Sequence, residues 1–352
     1  MLRLSAPGYL RLRQSMPGAL ETAFAGAEVN AAVAIASLGG VAEFVTALPT
    51  GDITEACLAS VRAMNVGVQG VALRDEGRFG IYFVESGAGQ RGGRVLYDRD
   101  GTTFARTPAA HYDWPRLLAG VDWFHTTGIS ASVSRVAAEA TLDALQAAKV
   151  HGLTVSLDIN HRRQLWRWDE TLAPEVLARR TLQAMLPLVD VLIGNPSDLA
   201  LVAGLEGIPG SADRSLAVDA AREVARATVR RFPHLLRVAV TLRENPSASH
   251  NNWGALLHEP ARDGWAIAPQ SGDTYVPYEI PLMVDRVGTG DVFAGALIHA
   301  LQTPKLSAGG EALRFAVAAS CLAHSVKGDF SYCTRAEVEA LLAGNSGGAM
   351  AR

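Results

Sequence analysis

The chain has 352 residues, 49% hydrophobic and 19% charged, which is enough apolar material for a sizeable core. At roughly 150 residues per domain the length allows two domains, and one large α/β domain with a small appendage fits the element pattern below. A formal net charge of -3 argues against a nucleic-acid binder, which usually carries a basic excess. Cys57, Cys321 and Cys333 lack the C-x-x-C spacing of a zinc site or disulfide framework and read as thiols in a reducing compartment. The start shows no signal-peptide pattern, and no apolar run is long enough to span a bilayer. The expectation is therefore a cytoplasmic protein without a membrane partner.

In chain order, residues 27–38 pattern as a helix closed by Gly39 and Gly40, a good C-terminal stop. Residues 41–49 read as a strand and 53–65 as a helix. The stretch 67–106 breaks the rhythm: 79–86 and 94–105 look like strands around a Gly-rich turn at 87–93. This β-meander fits a small projecting lid or an edge hairpin of the main sheet. Beyond it, 122–128, 154–160, 190–195 and 237–243 read as strands, with a helix at 134–152. These strands are apolar on both faces, as in a parallel sheet covered by helices. The βαβα order predicts an open doubly wound sheet. The last residues, 344–352, read as a frayed tail.

The most informative segment is 284–301. A strand pattern, YEIPLMV, leads to Gly288, Thr289, Gly290 and Asp291, and a helix follows. Amides at a helix N-terminus are unpaired and carry partial positive charge, and glycines let an anion approach them. Such a turn is also a common capped helix start. The segment is not a dinucleotide fingerprint, because Phe293 stands where the third glycine belongs, and no Lys-Ser/Thr follows as in a Walker A loop. An Asp beside a phosphate cradle is electrostatically unfavourable unless it handles a proton. A carboxylate within reach of an acceptor hydroxyl can take that proton as a phosphoryl group arrives.

Asp285 through Asp291 resembles the D-x-x-G-x-G-D signature of PfkB carbohydrate kinases. Gly26 to Asn30 resembles that family's G-x-x-x-N segment, and Asn195 to Asp198 its N-x-x-E motif, with Asp for Glu. MLRLSAPGY, GIYFVE, RVLYDR, SLDINHRRQLW, VDVLIGN and VTLRENPSASHNNW are similar to the 2-keto-3-deoxygluconate (KDG) kinases of the family. The resemblance implies a ribokinase-like three-layer α/β/α sandwich with a mostly parallel central sheet and a small β-sheet lid. The core would be 27–66 and 107–343, the lid region 1–26 and 67–106, and the flexible tail 344–352. It implies ATP and Mg²⁺ as cofactors, a small sugar acid as partner, no nucleic acid, and leaves homo-oligomerisation open.

By the same resemblance, Asp291 is the base toward the sugar's terminal hydroxyl. The amides of Gly288, Thr289 and Gly290 form the anion hole. Gly26, Asn30, Tyr82, Tyr97, Arg99 and Arg162 line the sugar site. Asn195, Thr241 and Arg243 serve the nucleotide phosphates, and Asp198 reaches the metal through water. On its own residues, Arg162 fits a carboxylate through two parallel hydrogen bonds, and it follows a strand end, where open sheets bind ligands. A solvated basic patch with Arg163 and Arg167, packing roles for Tyr82 and Tyr97, and a simple helix cap at Asn195 are the plainer alternatives.

The chain departs from the family at Ala25, where glycine is usual, at Thr54, and at Asp198. The family also shows an apolar strand and a Gly-Glu pair just before the segment resembling MLRLS, so an in-frame strand upstream of Met1 is expected. The resulting expectation is phosphorylation of KDG at its C6 hydroxyl. The alternatives are a family kinase for a neutral sugar such as fructose or a nucleoside, and a catalytically silent sugar-acid binder. A dinucleotide oxidoreductase has the right fold class but lacks the fingerprint.

Overall fold

Runs of Val, Leu and Ile that are apolar on both sides demand cover on both sides, and the chain supplies it with two helical layers. The computed structural model describes residues 1–205 and 214–344. The tail expected to be flexible therefore lies, beyond Gly344, outside the described residues.

The chain opens with strands β1 (Leu2–Ser5) and β2 (Glu21–Phe24), then helix α1 (Ala27–Ser37). A parallel pair follows, β3 (Thr46–Pro49) and β4 (Val71–Arg74), joined through α2 (Asp52–Ala63). Next come β5 (Ile81–Glu85) and β6 (Arg94–Asp98). The order then becomes strand and helix in turn: β7 (Trp123–Thr127), α3 (Arg135–Val150), β8 (Thr154–Asp158), α4 (Pro174–Met185), β9 (Val191–Gly194) and α5 (Pro196–Ala203). Helix α6 (Arg214–Arg231) leads to β10 (Arg237–Ser247), β11 (His250–Glu259) and β12 (Gly264–Ala268). Helices α7 (Thr289–Gln302), α8 (Gly309–Ala323) and α9 (Arg335–Leu342) complete the described chain.

The main sheet runs β12-β11-β10-β9-β8-β7, with a short strand at Tyr278–Ile280 paired to β11. Strands β7 to β10 are parallel, and β11 and β12 run antiparallel. Successive residues face opposite layers. Leu192, Val238 and Val240 pack with α3, α4, α5 and α6, whereas Val191, Ile193 and Ala239 pack with α1, α7 and α8. This is the expected three-layer sandwich. The lid is a separate sheet, β2-β1-β5-β6, with β1 parallel to β5.

Three local readings change. Strand β4 falls in the segment expected to form the lid but pairs with β3. The strand expected over 94–105 ends at Asp98, because Gly101 turns at φ +63° and Thr102 accepts from the Ala105 amide to start a short helix. The strand expected over YEIPLMV stops at Ile280, before Pro281, which has no N–H to donate. The β3–β4 pair stands apart from the main sheet. A cavity of about 580 Å³ separates the two, lined by Val45–Leu48 and Phe124–Thr126. Among the described residues no helix is long and apolar enough to cross a membrane.

Helices α1 and α7 pack against each other at Gly295, which bears on the site. A Cβ there would lie 2.4 Å from the Ala31 carbonyl oxygen and 3.0 Å from the Ala34 Cβ. Only a residue without a side chain permits this approach. Gly295→Val should therefore destabilise the fold by about 1–3 kcal/mol through overpacking. Denaturant unfolding checks this, and an unchanged midpoint and slope would contradict it.

Candidate active site

The C-terminal ends of β8, β9 and β10, the N-termini of α1 and α7, and the lid enclose one cavity of about 1020 Å³. Open α/β sheets bind ligands at this edge, where the connections leave a crevice. Of the residues singled out in the sequence, Gly26, Asn30, Tyr82, Tyr97, Arg99, Arg162, Asn195, Asp198, Thr241, Arg243, Gly288, Gly290 and Asp291 all line it. Thr289 does not. Its hydroxyl is buried and accepts from Arg243 Nη2 at 3.1 Å.

Asp291 sits in the first turn of α7 and lines the cavity. Asn30 Nδ2 donates to its Oδ2 at 2.7 Å, and Asn160 Nδ2 donates to its Oδ1 at 3.3 Å. Both partners are neutral amides. Burial pushes the carboxyl up to about 7; the Asn30 bond and Arg162 pull down, and Asp329 and Glu28 push up. A group poised near neutrality suits reversible proton transfer.

Helix α7 starts without a side-chain cap, and Gly288 stands at its N-cap with φ +85°. The first amides of a helix have no acceptor within it, so this turn presents donors and a positive dipole end to the cavity. The two loop glycines differ in kind. A Cβ on Gly288 would lie 2.6 Å from the Asp329 carbonyl oxygen, whereas a Cβ on Gly290 would meet nothing within 4 Å. Gly288 is required by backbone conformation and contact; Gly290 keeps open space in front of the amides.

Four arginines, Arg99, Arg162, Arg243 and Arg286, line the same cavity. Arg243 lies 4.9 Å over the ring of Trp253. Burial lowers its guanidinium to about 10, with Arg286 and Arg162 adding to the shift, so it stays charged at neutral pH. Among the described residues, no carboxylate lies within salt-bridge distance of Arg99, Arg162, Arg243 or Arg286. Unpaired guanidinium groups around one cavity suit a ligand with several negative charges.

A second set of groups suits a cation. Asp158 is buried at the end of β8, and burial together with Asp198 and Asp291 raises its carboxyl well above the usual range. Burial also raises Asp198, to about 6. The Asn160 Oδ1 beside them is buried with no hydrogen-bond partner. Hard oxygen donors of this kind fit Mg²⁺. Among the described residues no three or more His, Cys, Asp or Glu side chains converge as a complete metal cage. An ion here would need waters or ligand oxygens to fill its shell.

Asn195 does cap α5: its Oδ1 accepts from the Asp198 amide at 3.0 Å, and Asp198 Oδ2 accepts from Asn195 Nδ2 at 2.8 Å. Asn195 thus caps the helix and also lines the cavity, and the same bonds orient Asp198, which lines it too. Tyr82 donates its hydroxyl proton to Asp329 Oδ2 at 2.6 Å, which leaves its oxygen able only to accept from a ligand. The departures at Ala25 and Thr54 stay outside this cavity. Ala25 packs with Tyr82 and Val84, and the Thr54 hydroxyl donates to the Pro49 carbonyl at 2.5 Å.

Asp158, Asn160, Arg286 and Asp329 line the cavity too, and the sequence reading passed them over. The first two had a signal. Positions i and i+2 at a strand end point to the same side, so Asp158 and Asn160 flank the crevice together. Asn160 also holds φ +41°, a conformation Asn tolerates better than most residues.

Known proteins are similar to this chain in sequence and fold. The family model for pfkB family carbohydrate kinases matches residues 13–232. A curated relative, 2-dehydro-3-deoxygalactonokinase of Haloferax volcanii, is 31% identical across 99% of this chain and 96% of its own length. The crystal structure of 2-dehydro-3-deoxygluconokinase from Thermotoga maritima superposes with a TM-score of 0.86 at 34% identity, covering 97% of both chains. A PfkB family carbohydrate kinase from Listeria grayi superposes with a TM-score of 0.83 at 26% identity, again covering 97% of both chains. With its family match and its close relatives spanning nearly the whole chain, this protein belongs to the pfkB family of carbohydrate kinases.

Proposed function

We propose that the protein transfers the γ-phosphoryl group of ATP to the terminal hydroxyl of a 2-keto-3-deoxy sugar acid, the C6 hydroxyl of KDG. The observation that carries this reading is Asp291, held by Asn30 and Asn160 at the uncapped start of α7 and poised near pH 7. The two relatives named for a sugar differ in one stereocentre but share the 2-dehydro-3-deoxy acid, which supports the acid class. An ATP-dependent reaction of this kind fits a cytoplasmic protein.

The residues divide the work. Asp291 accepts the hydroxyl proton as the phosphoryl group arrives. Asn30 and Asn160 hold its carboxylate by donating to it, so both oxygens are oriented. The amides at Gly288 to Gly290 offset charge on the transferring group, and Arg243 stands beside them. Asp198 and Asp158 would hold Mg²⁺ through its waters, and the ion, when bound, neutralises phosphate charge. Tyr97, Arg99 and Arg162 line the cavity and would bind the sugar, the guanidinium groups suiting its carboxylate. The lid covers the bound sugar and keeps water from competing with it.

Two outcomes test the base. The kcat/KM for the sugar should fall on the acid side with a midpoint near 7, because the free enzyme must lose the Asp291 proton to act. Asp291→Asn should lower kcat by roughly two to four orders of magnitude in a folded protein, without that acid limb. Near-normal turnover would contradict the assignment.

Substrate choice is tested at Arg162. A charge-assisted hydrogen bond contributes about 1.5–3 kcal/mol, and about 1.4 kcal/mol is a factor of ten. Arg162→Ala should lower kcat/KM for KDG at least about tenfold and leave any activity on fructose little changed. Arg162→Lys should rescue in part, because it keeps the charge without the planar fork. Equal losses on both sugars would make Arg162 structural, and outright preference for fructose would overturn the sugar-acid reading.

A further inference from the structure

A buried charge network lies beneath the glycine loop, and the mechanism above does not use it. Arg3, on lid strand β1, is 3% exposed, and Asp285 and Asp329 are 9% and 4% exposed. Arg3 Nη2 donates to Asp285 Oδ2 at 2.6 Å, and Nη1 donates to Asp329 Oδ1 at 2.9 Å. Its Nε donates to Ser5 Oγ at 2.8 Å, so the guanidinium is held on three sides. Among the described residues no other cation pairs with either carboxylate.

Both carboxylates bear directly on the loop. Asp285 Oδ1 accepts from the amides of Arg286 at 2.8 Å and Val287 at 3.1 Å, which shapes the turn entering Gly288. Its Oδ2 accepts from the Gly328 amide at 3.2 Å, joining the loop to the segment that carries Asp329. The Asp329 carbonyl lies against Gly288, and its side chain lines the cavity. Without a counter-charge, two carboxylates here would oppose an arriving phosphoryl group through poorly screened protein.

We propose that Arg3 is a positioning residue for phosphoryl transfer: from the lid it cancels Asp285 and Asp329, keeps the glycine loop receptive to an anion, and ties that loop to the lid sheet. Tyr82 of β5 adds a second lid contact by donating to Asp329, so two lid strands converge on one carboxylate. The proposal rests on the kinase reading of the site.

The test compares wild type with Arg3→Met, Arg3→Lys and the charge-free triple variant Arg3→Met/Asp285→Asn/Asp329→Asn, in the full chain. The readouts are ATP–Mg²⁺ affinity by calorimetry, kcat and KM with KDG, and unfolding. Arg3→Met should weaken ATP binding and lower kcat by about tenfold or more, as expected of two uncompensated charges near the loop. Arg3→Lys should fall between, because it keeps one charge without the fork that spans two carboxylates. The triple variant should recover most of the lost ATP affinity, since it removes the charges that Arg3 had balanced. That recovery separates charge balance from mere packing. Should Arg3→Met fail to fold, the triple variant decides alone: near wild-type ATP affinity supports the role, and lost affinity overturns it. Wild-type-like behaviour in folded Arg3→Met also overturns it while leaving the kinase reading intact. A wild type that binds no ATP and phosphorylates no sugar overturns that reading, and this proposal with it.

Discussion

A catalytic carboxylate must be negative to take a proton, yet it must stand next to an incoming phosphoryl group that is also negative. With Asp291 as the proposed base, the rest of this site answers that conflict. Asp291 is given amide donors rather than a cation as its direct partners, so it is oriented without being fixed as a carboxylate. Burial then lifts it toward neutrality, where its charge can change within the reaction. The helix that carries it leaves its own first amides uncapped, and in the proposed reaction those amides offset the charge of the group that arrives.

This solution needs close packing behind it. The Asn30 bond to Asp291 spans 261 residues of sequence and depends on α1 lying against α7 at Gly295. The same helix α1 is anchored on its other side, where Glu28 Oε1 accepts from the amide and hydroxyl of Thr127 and from Ser130 at the end of β7. Charge is sorted around this frame. Guanidinium groups without carboxylate partners face the cavity, whereas the carboxylates beneath the loop are neutralised by Arg3. A buried ion network of this kind is weak evidence for stability, because desolvation opposes the Coulomb gain. Its position beside the loop points instead to function.

Much of this was legible in the sequence, for stated reasons. The parallel strands announced themselves through apolar runs such as VDVLIGN, since strands buried on both faces cannot alternate. The glycine loop was legible because its glycines and Asp291 are contiguous. What stayed hidden lies where the deciding contact is remote. Tyr82 lines the cavity as expected, but that its hydroxyl donates to Asp329 depends on a partner 247 positions away. Arg3 sits in an unremarkable strand, and nothing local reveals that its partners are Asp285 and Asp329. Residues 71–74 fell within the stretch assigned to the lid because 67–106 breaks the strand-helix rhythm, and only the pairing with β3 places β4 elsewhere. The capping of α5 by Asn195 was readable in advance, but its second consequence, the aim of Asp198, was not.

The position of the transferring group is the central question for this site. A crystal structure of the protein with ADP, Mg²⁺, aluminium fluoride and KDG would show this directly. The fluoride should lie within hydrogen-bond reach of the amides at the start of α7, with an Asp291 oxygen within about 3 Å of the sugar's C6 oxygen. An anion held elsewhere in the cavity, or a C6 hydroxyl turned away from Asp291, would contradict the proposed transfer.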